Sequence, residues 1–105
     1  MANICSNDFL ISFESDELGD KICEKLDKLF NESLAGEITY SDEGIIEGYF
    51  DSRWTFPMHL FEDFFDEFDN ESIYMRCLSI EYGCVYIAMN VYRDKKWENE
   101  QTFDF

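Results

Sequence analysis

Twenty-four carboxylate side chains against eight lysines and arginines leave a formal charge of -16 that any compact state of this 105-residue chain has to carry. Like charges oppose compaction, so the fold must turn its acids outward and gather enough apolar area to outweigh their repulsion. That area is present: 46% of the chain is hydrophobic and 18% aromatic, with eleven Phe, six Tyr and two Trp. Disordered acidic segments lack such residues. At this length the aromatic content predicts one domain, residues 1–105, built on one core.

Hydrophobic spacing divides the chain into elements. Phe9, Ile11 and Phe13 alternate with Leu10, Ser12 and Glu14, which predicts a strand. Leu18, Ile22, Leu26, Leu29 and Phe30 recur at helical spacing behind the capping residues Ser15 or Asp16. Glu37 to Tyr40 and Ile45 to Phe50 read as a hairpin around Ser41-Asp42-Glu43-Gly44. A second helix is expected from Thr55 to about Asp69, with Pro57 in its first turn and Met58, Phe61, Phe64, Phe65 and Phe68 on its buried face. Ser72 to Glu81 and Cys84 to Tyr92 predict a hairpin around Tyr82-Gly83, and the tail from Trp97 to Phe105 a further short strand. The order β-α-β-β-α-β-β predicts an α+β, ferredoxin-like split βαβ, an antiparallel sheet with two helices on one face.

The segment Phe50-Asp51-Ser52-Arg53-Trp54-Thr55-Phe56-Pro57 leading into a helix, and a strand ending in Ser79-Ile80-Glu81-Tyr82-Gly83, resemble the YubB-type ferredoxin-like domain of phage and plasmid proteins. The resemblance covers roughly the second half of the chain and implies an origin in a mobile element rather than an activity. Phe56 stands where a second proline is expected beside Pro57, and the following helix is more acidic. Small acidic phage proteins of this size include inhibitors of host defence, anti-CRISPR proteins among them, and the analogy of size, charge and origin extends to this chain.

The acids are unevenly placed. On the first helix Glu17 precedes Lys21 and Glu24 precedes Lys28 by four residues, a favourable orientation. The second carries Glu62, Asp63, Asp66 and Glu67, with Asp69 and Glu71 beyond, and no Lys or Arg among them. Its like-charged i,i+4 pairs each cost roughly 0.2 to 0.5 kcal/mol. Asp42, Glu43 and Glu47 form another acidic group on the first hairpin, and Glu98, Glu100 and Asp104 one in the tail. Because duplex DNA is bound through Lys and Arg, a rigid carboxylate array can occupy the same basic groove. Tyr74 and Tyr82 are expected on one strand face with Arg76, and Tyr86 with Tyr92 on one face of the next, giving a tyrosine patch that could serve an interface.

Other chemistries fit less well. Cys5, Cys23, Cys77 and Cys84 contain no CxxC pair, and the single His59 cannot complete a zinc finger, so reduced packing thiols, no metal and no cofactor are expected. With Tyr82-Gly83 as a two-residue turn, Glu81 faces Cys84 and Cys77 faces Ala88, which disfavours a Cys77–Cys84 disulfide. Asp66 to Glu71 lacks the EF-hand glycine. His59 with Glu62 or Asp63 makes one helix turn without a nucleophile or oxyanion loop, so no enzyme is expected. The few arginines and lysines are surrounded by acid, which opposes direct nucleic-acid binding. Met1 to Asp8 lacks a signal-peptide pattern, and no stretch approaches roughly 18 apolar residues, so a cytoplasmic protein without membrane contact is expected.

The leading expectation is a non-enzymatic acidic inhibitor that binds a basic, nucleic-acid-binding host defence protein, such as a CRISPR effector, in the host cytoplasm. Its partner-binding residues would be Glu62, Asp63, Asp66, Glu67, Asp69, Glu71, Asp42, Glu43, Glu47, Tyr74 and Tyr82. The alternative is a structural or regulatory module that assembles through its sheet face, a homodimer included, with charge serving solubility.

Overall fold

The computed structural model describes residues 4–68, 72–83 and 86–104. In chain order these form β1 (Ile4–Ser12), α1 (Asp16–Glu32), β2 (Ala35–Asp42), β3 (Ile45–Arg53), α2 (Met58–Asp66), β4 (Tyr74–Glu81), β5 (Tyr86–Arg93) and β6 (Lys96–Asp104). The six strands make one sheet in the order β2-β3-β1-β4-β5-β6, and every neighbouring pair is antiparallel. This corrects the simple ferredoxin-like split βαβ read from the sequence. The sheet continues past β4 through β5 to a nine-residue β6, where only a short tail strand was expected.

The reason β6 forms is visible in its first residues. Asp94 and Lys95 take positive φ values of 51° and 63° in a two-residue turn, the geometry that suits the twist of an antiparallel hairpin. Trp97 then lands opposite Tyr92, on the face covered by α2. Phe65 of α2 stacks on Tyr92 with ring centroids 4.4 Å apart and an interplanar angle of 7°, and Trp97 packs against both. The polar character of the strand concealed this anchor.

Both helices lie on one face of the sheet. Along β1, Cys5, Asn7, Phe9 and Ile11 point inward while their neighbours point to the opposite, open face. Leu18, Ile22 and Leu26 of α1 and Phe61, Phe64 and Phe65 of α2 complete the core over Ile46, Phe50, Met75 and Cys77. Ser15 caps α1, its side chain accepting from the Leu18 amide at 3.2 Å, and Asp16 and Glu17 favour the helix dipole in the first turn.

Helix α2 is shorter at both ends than its periodicity predicts. Pro57 precedes it without a side-chain cap, and Met58 N–H bonds back to Phe56 O at 2.9 Å. The far end stops at Asp66, where carboxylates in the last turn oppose the dipole and that turn itself carries no basic residue. Among the described residues no helix is long and apolar enough to cross a membrane.

Turn chemistry differs between the two hairpins singled out in the sequence. Asp42 pairs with Ile45, so the first turn is only Glu43-Gly44, with φ of 47° and 83°; a Cβ on Gly44 would lie 2.9 Å from Phe13 O. In the second, Glu81 pairs with Tyr86 and Cys77 with Asn90. The hairpin therefore closes on Glu81 and Tyr86 rather than on Glu81 and Cys84, and Cys77 does not face Ala88. Cys77 is a free thiol, and Cys84 lies outside the described residues.

Phe65→Ala should lower the unfolding free energy in urea by about 3 to 5 kcal/mol, and amides of β6 should lose exchange protection before those of β1. A loss near that of an exposed site would show that α2 does not anchor this half of the sheet.

Candidate interaction surfaces

The acids of α2 are all exposed, but the neighbouring helix meets one of them. Lys25 of α1 ion-pairs with Glu67 and lies 5.2 Å from the ring centroids of both Phe64 and Phe68. The hydrogen bond and charge of Lys25, with Lys28 nearby, hold the Glu67 carboxyl below the usual carboxylate range. Lys21, Lys25 and Lys28 line the groove beside Glu67 and Phe68. The expected pairing on α1 is half realised: Lys21 meets Glu17 at 3.7 Å, while among the described residues Lys28 forms no ion pair with Glu24. Sequence spacing along one helix could not show this neutralisation across two. Glu62 reaches the exposed His59, at 3.2 Å. Asp63 and Asp66 form no ion pair among the described residues. Asp69 and Glu71 lie outside the described residues.

The first hairpin places its acids elsewhere. Glu47 pairs with Tyr40 on the open face, Asp42 stands beside them opposite Ile45, and Glu43 occupies the turn. These residues are separated from α2 by the thickness of the sheet.

The expected tyrosine patch does not assemble from the residues named for it. Tyr74 and Arg76 share the open face, but Tyr82 lies past the end of β4 in the loop, 77% exposed. Tyr86 and Tyr92 point to the helix side, where Tyr92 is buried against Phe65. The exposed tyrosines of the open face are Tyr40 and Tyr49 instead. Their signal was the alternation of Glu47, Tyr49, Asp51 and Arg53 with Ile46, Gly48, Phe50 and Ser52, which sends the first set to solvent.

A second local feature involves Trp54, 47% exposed with a φ of 70°. Thr55 N–H bonds to Arg53 O at 2.8 Å across it, closing a tight turn of the strained, positive-φ kind. Ser52 holds the turn from below by donating to Thr55 O at 2.7 Å. It belongs to a buried polar group in which the Asn7 amide donates to Ser52 Oγ at 3.0 Å and to Phe50 O at 3.1 Å, and accepts from Ser79 Oγ at 2.6 Å. Buried polar atoms satisfied in this way fix one arrangement of neighbouring strands.

Among the described residues no group of three or more His, Cys, Asp or Glu side chains converges on a metal position. The side chain of His59 is almost wholly in solvent. Glu81, 2% exposed, accepts from the Gly83 amide at 2.6 Å and so braces the loop after β4.

The buried thiols carry a pH signature. Burial pushes Cys77 up to about 12 from an ordinary 9.0, partly offset by its hydrogen bond to Ser79, and raises Cys5 in the same direction. Between these two limits the unfolded chain has lost the Cys77 proton that the native state keeps, so the stabilisation is complete below pH 9.0 and falls as pH rises toward about 12. Urea midpoints should decline across that window, and less steeply in Cys77→Ala; equal slopes would remove Cys77 as the cause. Tyr86, also raised by burial, adds a loss of the same sign above its ordinary 10.0.

No protein-family model matches this chain, and no match is found among curated proteins or solved structures.

Proposed function

We propose that this chain is a non-enzymatic acidic inhibitor of mobile-element origin that binds a basic, nucleic-acid-binding host defence protein in the host cytoplasm, a CRISPR effector being the class considered. The reading is carried by the exposed carboxylates: Asp42, Glu43, Glu47, Asp63 and Asp66 form no ion pair among the described residues. Unpaired charge on a rigid sheet and helix maintains a field that speeds encounter with a basic groove and repels nucleic acid itself. The resemblance of the second half to YubB-type domains supports the proposed origin.

A competing reading is a module that assembles through its open sheet face. Leu78 and Ile80 of β4 and Ile87 and Met89 of β5 share that face and are only half-buried, which is the observation in its favour. Light scattering at low and high salt separates the two, since a tight salt-insensitive dimer supports assembly.

For the inhibitor, the measurement is displacement of labelled target duplex from a purified CRISPR effector with its guide. Displacement should weaken several-fold as salt rises from about 50 to about 200 mM. Displacement that does not change with salt would exclude a charge-based mechanism.

A further inference from the structure

The large apolar side chains that remain exposed among the described residues are Ile4, Tyr40, Tyr49, Trp54 and Tyr82, and none belongs to a helix. Ile4, Tyr40 and Tyr49 stand on the open face, which no described element covers. Register places Tyr49 at the middle of a cross of acids. Glu37 on β2 and Asp8 on β1 are its direct cross-strand partners, and Glu47 and Asp51 lie two residues before and after it on β3. Strand spacing and rise set the arms of this cross about 10 Å and about 13 Å apart.

All four acids are exposed, and none is ion-paired among the described residues. Tyr49 Oη donates to Glu37 Oε2 at 2.9 Å, which ties the phenol to one arm. Tyr40, 48% exposed, stands directly opposite Glu47. Carboxylates and half-exposed aromatic rings thus alternate over this surface, with Arg53 at its rim two residues beyond Asp51 and in no ion pair among the described residues.

We propose that this face of β2, β3 and β1 docks an arginine-rich protein surface, and that it, rather than α2, makes the principal contact; this rests on the basic-partner reading above. The chemistry selects arginine. A guanidinium bonds a carboxylate through two parallel N–H groups and also lies over an aromatic ring, whereas an ammonium does the first only as a point charge. A second copy of the chain would bring the same acids against themselves, and nucleic acid would bring phosphates. Helix α2 offers no exposed large aromatic, and Lys25 already occupies Glu67.

The test uses the full chain and two labelled peptides of equal length and charge, one arginine-rich and one lysine-rich, followed by fluorescence anisotropy at low salt. The arginine peptide should bind roughly fivefold or more tightly. Tyr40→Leu with Tyr49→Leu should abolish that preference while leaving the lysine peptide bound. Glu47→Gln with Asp51→Asn should weaken both peptides, whereas Asp63→Asn with Asp66→Asn, which removes the same charge from α2, should have little effect. If the preference survives loss of the tyrosines, or the α2 variant weakens binding as much as the sheet variant, the sheet face is not the contact although the basic-partner reading stands. If neither peptide binds, that reading fails as well. Unchanged amide spectra away from the substitutions confirm that each variant is folded.

Discussion

The stack of Phe65 on Tyr92, closed by Trp97, is the contact on which the far half of the sheet depends. Helix α1 lies over the other half: Phe30 sits against Phe9 and Phe50. The nine residues of α2, with Phe56 just before them against Trp97, cover β5 and β6. Its phenylalanines do this as a chain of ring contacts running from Phe50 through Phe61 to Phe65. Large rings allow so short a helix to shield so wide a sheet, because each buries far more area than an aliphatic side chain. The same economy sets a limit: two helices can cover one face, and the other must live in water.

That division also sorts the charge. The helix layer manages its acids through neighbours, with Lys25 lying over Phe64 and Phe68 while it reaches Glu67. The open face has no such arrangement around Tyr49. Acids there are kept apart by interposed tyrosine, serine and leucine rather than neutralised, a solution that tolerates repulsion by spacing it. Close packing reinforces it: a Cβ on Gly48 would come within 2.4 Å of Glu37 O and 2.7 Å of the Phe9 ring, so β2 and β3 are held tightly beneath those carboxylates.

Much of this was legible in the sequence. Leu18, Ile22, Leu26, Phe61, Phe64 and Phe65 announced themselves by spacing, because a helix repeats its buried face every three or four residues. The alternation from Ile45 to Arg53 likewise held the open face in plain view. What spacing could not convey was which element meets which. Lys25 and Glu67 are far apart in the chain, Trp97 sits in a polar run, and Tyr92 reads as an exposed tyrosine until Phe65 is placed over it. The pairing of Glu81 with Tyr86 rather than with Cys84 shifted every cross-strand partner of β5, since turn length fixes register in a hairpin.

The sheet has two free edges, β2 and β6, and both strands carry a register irregularity, between Ile38 and Tyr40 and against Met89 and Asn90. An exposed edge is a template for another chain, and bulges only partly spoil it. Negative charge supplies the rest of the protection here, because two copies approaching edge to edge bring like fields together. It therefore guards solubility as well as any encounter, and it is conditional: near the sequence isoelectric point of about 4.1 the guard is gone and edge pairing between copies is unopposed.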